Sequence, residues 1–119
     1  MSAEAPADPP ARILDYLRGR LTTAPDLHLE GVERIAVGWS HETWLFDACW
    51  SEGAQQQRRG LCLRRDPGGT LLRHLSDLSV QFQVLRCLEP TPVPTPTAYW
   101  YEEDPGWLTS PFLVMEKVP

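Results

Sequence analysis

The sequence predicts an α+β fold: an antiparallel sheet of about five strands, with a long helix packed on one face and another helix at the N-terminus. Three observations predict it. Apolar residues alternate with small or polar ones through three short runs between Ile35 and Leu63, which is the period of half-buried strands. From Leu71 the period changes: Leu71, Leu75, Leu78, Phe82, Leu85 and Leu88 follow three-and-four spacing, the spacing of an amphipathic helix. Two more short apolar runs, TAYWY and PFLVME, lie beyond a proline-rich connection.

Each element has its own local reason. Residues 1–8 are small, polar and proline-containing, and are expected to form a flexible arm. A helix is expected from Pro9 or Pro10, with Asp8 as its N-cap, because proline suits a first helical turn. Ile13, Leu17 and Leu21 recur at spacing four and give it one apolar stripe. Trp44, Phe46, Ala48 and Trp50 then alternate with Leu45, Asp47 and Cys49. Leu61 and Leu63 alternate with Cys62 and Arg64. Breaks at GWSHE and SEGAQQQ divide this region into a three-stranded meander. The turn signal DPGG precedes the long helix, expected over 71–89. EPTPVPTP ends it, because alternate prolines cannot continue a helix. The last two runs read as strands joined through EEDPGW.

The chain has 119 residues, 42% of them hydrophobic and 23% charged, with a net charge of −5. That length suits one small domain or part of a larger one. The charge gives no basic face for nucleic acid. No apolar run is long enough for a transmembrane helix, and MSAEAPADPPAR has neither the basic nor the apolar region of a signal peptide. Cys49, Cys62 and Cys87 are odd in number and widely spaced, which argues against a disulfide framework. A reducing cytoplasm is the expected location, with no membrane and no nucleic-acid partner.

Familiar catalytic motifs fail on inspection. Gly38-Trp39-Ser40 begins a G-x-S-x-G elbow, but Glu42 occupies the final glycine position. His28, His41, His74 and the cysteines show no C-x-x-C, H-x-x-x-H or H-E-x-x-H spacing, so no metal ligands are assigned. Gly68-Gly69 belongs to neither a P-loop nor a dinucleotide fingerprint.

One arrangement does carry chemistry. A glycine-containing loop (Gly38 to Glu42) joins the first two strands, Arg64 ends the third, and a long helix and two strands follow. In kinase-type phosphotransferases this is the order of parts around ATP: a loop over the phosphates, a third-strand cation, and a helix residue that holds the cation. The alternative is that LRRD carries two solvated arginines at a strand end.

The wording is more specific than the pattern. GWSHETWLF, LCLRRDPGGTLL, QFQVLRCLEPTPVPTPTAYWY and SPFLVMEKVP, in that order, resemble the aminoglycoside phosphotransferase family over roughly residues 12–119. The resemblance implies a protein-kinase-like N-terminal lobe over residues 9–119, with the C-terminal catalytic lobe absent. It implies ATP and Mg²⁺ as cofactors and γ-phosphoryl transfer to a hydroxyl. By resemblance, Ser40 and His41 lie over the phosphates, and Arg64 takes the place of the phosphate-binding lysine. Gln81 holds that cation. Met115, Glu116 and Val118 line the adenine site, with Val37 and Cys62 as apolar walls.

Two departures stand against the family pattern. Gln81 replaces the usual glutamate and cannot neutralise Arg64. No H-x-D occurs, since His28, His41 and His74 are followed two places on by Glu30, Thr43 and Ser76. The family's catalytic base and metal ligand therefore have no counterpart here, and no catalytic residue is assigned. The expected partners are a nucleotide and, only with the missing lobe, a small-molecule hydroxyl acceptor. An exposed apolar face around Phe112, Val114 and Met115 is expected to invite self-association. The alternative reading is a non-catalytic interaction or regulatory domain that keeps only the lobe's fold.

Overall fold

The computed structural model describes residues 8–21, 24–37, 41–65, 78–104, 106–108 and 110–117; for 36, 37 and 41 it describes the backbone alone. The elements are α1 (Pro9–Arg20), β1 (His28–Val37), β2 (His41–Glu52), β3 (Gln55–Arg65), α2 (Leu78–Leu88), β4 (Ala98–Glu102) and β5 (Phe112–Glu116). All pairings are antiparallel. The order across the sheet is β1-β2-β3-β5-β4. Of the expected arm, residues 1–7 fall outside the described residues, as do residues 71–77 of the expected long helix.

Local chemistry sets the turns. The Asp8 carboxylate accepts from the Ala11 amide at 3.4 Å and caps α1, with prolines at the first two helical positions. Arg18 and Arg20 lie in its last turn, where cations suit the helix dipole. The β2–β3 hairpin is tighter than the SEGAQQQ break implies. Its loop is Gly53-Ala54 alone, and Gly53 has a φ of 61°. A glycine with positive φ at the first position of a two-residue loop keeps the strand twist continuous. In β1 the register slips between Glu30 and Glu33, so Gly31 and Val32 together oppose Phe46. Gly31 also has a φ of 61°, the conformation of a glycine bulge. This bulge lets β1 begin at His28, well before the alternation at Ile35.

The sheet is covered on both faces. On one, α1 contributes Ile13, Tyr16 and Leu17 to a core with Trp44, Phe46, Trp50, Leu61, Leu63, Phe112 and Val114. On the other, Leu78 of α2 packs with Cys62, Leu113 and Met115, flanked by Leu45, Phe82, Leu85 and Tyr101. The interior strand β5 meets both clusters, which explains its unbroken apolar run.

One expectation is overturned here. Phe112, Val114 and Met115 do not form an exposed face: they are 0%, 0% and 4% exposed. Tyr16 lies edge-on to Phe112 at 4.8 Å and to Trp107 at 5.2 Å, closing the α1 side. The expectation rested on a missing second lobe as the cover for this strand, but α1 on one face and α2 on the other supply it from within the chain. The exit of β5 is also secured. The Lys117 amide donates to the Gly60 carbonyl at 3.1 Å, and its ammonium reaches Asp47 at 2.9 Å.

Candidate functional site on the α2 face of the sheet

Alternation along β3 sends Cys62 and Arg64 to the α2 face, and Leu61, Leu63 and Arg65 to the α1 face. Cys62 pairs in register with Met115, and Arg64 with Leu113. On its other side, Arg64 pairs with Thr43 and Cys62 with Leu45. The Arg64 guanidinium donates from Nη1 to the Gln81 side-chain oxygen at 3.2 Å. Gln81, the helix residue expected from the QF segment, therefore lies within hydrogen-bond reach of Arg64. Among the described residues no carboxylate lies within ion-pair distance of Arg64.

The other sequence-derived positions differ in their placement. Cys62 is 8% exposed, and burial pushes its thiol above the ordinary value. Glu116 is exposed, and its carboxylate accepts from the Thr97 amide at 3.2 Å, away from Cys62 and Met115. Val37 and His41 face each other across the β1–β2 pair at the mouth of the loop, with only their backbones described. Ser40 and Val118 lie outside the described residues. The structure thus brings together Cys62, Arg64, Gln81 and Met115. A shallow pocket of about 350 Å³ lined by Arg12, Asp15, Asp104, Gly106 and Trp107 shares none of them.

The arginine beside the site is not the solvated side chain that LRRD suggests. Arg65 is 2% exposed. Its Nε donates to Glu42 Oε1 at 3.2 Å, and its Nη1 donates to the Leu108 carbonyl and the Ser110 hydroxyl, both at 3.1 Å. Glu42 also accepts from Trp44 Nε1 at 2.9 Å and from Arg34 Nη2 at 2.8 Å. Glu42 opposes Arg65 directly in the β2–β3 register. A signal for this exists in the sequence: Leu61-x-Leu63-x-Arg65 and Glu42-x-Trp44-x-Phe46 carry both charges onto the buried face.

Burial by itself would raise the Glu42 pKa. Hydrogen bonds from Arg34, Trp44 and Arg65 outweigh it and lower the value from 4.5 to about 2. A folded-state pKa below the unfolded one gives stability that is full above the unfolded value, near 4.5, and lost as pH falls toward 2. The contribution is of order 2–3 kcal/mol. Thermal melts across that acid range should show the loss, and Glu42→Gln should flatten this limb of the profile while lowering stability at neutral pH. An unchanged acid limb in the variant would refute the assignment.

The strand order and helix placement define an α+β lobe, a five-stranded antiparallel sheet with a helix on each face. Among solved structures the chain is similar to one from Ralstonia eutropha JMP134, titled a "putative aminoglycoside phosphotransferase". The two superpose with a TM-score of 0.62 at 22% identity, over 92% of this chain and 27% of the other. The likeness is one of fold, and the chain spans about a quarter of that protein's length. No family model and no curated protein matches the sequence.

Proposed function

We propose that this chain is the nucleotide-facing lobe of a small-molecule kinase, with Arg64 as the cation for ATP phosphates. The observation that carries the reading is the Arg64–Gln81 hydrogen bond. It orients a guanidinium on the sheet face that also holds Cys62 and Met115, below the ends of β1 and β2. A triphosphate needs a cation there, and a guanidinium offers a planar fork where lysine offers a point charge. Bound Mg²⁺ would neutralise phosphate oxygens. The carboxylates that hold Mg²⁺ and orient the acceptor hydroxyl have no H-x-D counterpart in these 119 residues.

Two results are expected. With Mg²⁺ present, ATP should bind weakly and shift the amide resonances of Cys62, Arg64 and Met115, and Arg64→Ala should abolish these shifts. The pure chain should transfer no phosphate from labelled ATP to hydroxyl acceptors. Unmoved resonances at saturating ATP would refute the nucleotide reading, and turnover that is lost in Arg64→Ala would refute the claim of inactivity.

The second reading, a non-catalytic interaction domain, is favoured by one observation. Gln81 leaves the Arg64 charge without a carboxylate among the described residues. Gln81→Glu should create a partly exposed ion pair and raise stability by about 0–1 kcal/mol, measured by urea unfolding. A clear loss of stability would show that the position cannot accept a charge.

A further inference from the structure

A second cluster of chemically competent side chains lies at the other end of the sheet and is independent of the nucleotide reading. His28 and Glu30 are two residues apart on β1 and therefore share a face. Cys49 of β2 is the direct register partner of His28. One potential ligand atom from each residue lies within 4.8 Å of the others. No short motif announces the set, because antiparallel pairing supplies the third member.

We propose that His28, Glu30 and Cys49 bind a zinc-like divalent cation through His28 Nε2, Glu30 Oε2 and Cys49 Sγ. The hydrogen bonds around these atoms assign each group its role. His28 Nδ1 lies 2.9 Å from the Asp26 carbonyl, which can only accept, so Nδ1 carries a proton. Its other nitrogen, Nε2, then faces Glu30 Oε2 at 2.8 Å. Two lone pairs do not meet at that distance unless a proton or a metal ion lies between them.

The second carboxylate oxygen, Oε1, accepts from Arg58 at 3.0 Å, which leaves Oε2 for the ion. Arg58 also donates to Cys49 Sγ at 3.5 Å, a contact that favours the thiolate. The Arg58 charge is itself matched by Asp47 at 3.0 Å. Asp26 is fixed in turn, because its carboxylate accepts from the Ser51 amide at 3.2 Å. Supporting bonds of this kind orient the ligands of metal sites.

Zinc bonds to nitrogen and oxygen are about 2.0–2.1 Å, so tetrahedral ligands sit roughly 3.3 Å apart. His28 and Glu30 must separate by about half an ångström from their present contact, which their exposed side chains permit. With a Zn–S bond of about 2.3 Å, Cys49 Sγ must come to roughly 3.6 Å from the other two ligand atoms, from a separation of at most 4.8 Å. Burial pushes the Cys49 thiol above its ordinary value, so the ion must displace that proton. Binding releases it to solvent together with the Nε2 proton of His28. Three protein ligands leave a fourth position for water.

The test titrates the reduced chain carrying Cys87→Ser with Co(II), since Cys87 is exposed and would bind metal adventitiously. A stoichiometric near-ultraviolet thiolate-to-cobalt band, displaced by Zn(II), is expected. His28→Ala and Glu30→Gln, both at exposed positions, should weaken binding by about tenfold or more. Cys49→Ser should remove the band. Should that variant misfold by circular dichroism, the two exposed-site variants decide the matter. No thiolate band, a band that survives Cys49→Ser, or affinity unchanged in His28→Ala and Glu30→Gln would overturn the proposal.

Discussion

Arg65→Ala is expected to destabilise the fold by about 3–5 kcal/mol, the usual cost of removing one partner from a buried ion pair. Small domains have only about 5–15 kcal/mol in total, so much of the chain should unfold under mild denaturant. The loss comes from both sides of the contact. Glu42, 7% exposed in the intact fold, would lose the guanidinium that opposes it in register and keep only Arg34 as its charged partner among the described residues. The Leu108 carbonyl and Ser110 hydroxyl would lose their donor beside a closed core. The neighbour provides the control. Arg64 is half-buried, and its described hydrogen bond is to a neutral amide. Arg64→Ala should therefore cost no more than about 1 kcal/mol. Urea unfolding of both variants checks the contrast, and equal losses would refute the division of β3 into two faces.

Tyr16→Ala should cost about 3–5 kcal/mol, the range for truncating a large buried aromatic. Tyr16 is 2% exposed and meets three other rings edge-on: Phe112, Trp107 and Trp100, with centroids at 4.8, 5.2 and 6.4 Å. These rings come from β4, β5 and the connection between them. Removing Tyr16 therefore loosens α1 and opens one side of β5 together. Burial raises the Tyr16 hydroxyl pKa above its ordinary value, partly offset by Arg20. Tyr16→Phe keeps the ring and should cost no more than about 1 kcal/mol. If both substitutions proved equally costly, the hydroxyl rather than the ring packing would be holding the helix.

Much of the candidate site is legible in the sequence. The β3 alternation puts Cys62 and Arg64 on one face, and the resemblance of the QF segment to the family's helix points to Gln81, which lies 3.2 Å from Arg64. Less is legible at Glu116. Its residue type matches a strand end, but its carboxylate turns to the Thr97 amide, a choice made by the neighbouring connection. The Arg65–Glu42 pair is legible in part. Extending the apolar alternation by one step assigns each residue to the buried face, yet nothing local says that the two charges meet.

The sequence by itself determined the order of the elements, the two periods and the chemistry of the caps and turns. Those properties depend on residues a few positions apart: Asp8 and Ala11, or Gly53 in its two-residue loop. The tertiary structure alone decided the slip in register at Gly31, the cover on both faces of β5, and the partners of each charged side chain. Arg65 and Glu42 are 23 positions apart, and Arg65 and Leu108 are 43 apart. His28 and Cys49 become neighbours only through the pairing of β1 with β2. The physical reason is that periodicity is set by backbone geometry within one element. Burial and charge pairing are set by which elements meet, and that depends on the packing free energy of the whole chain.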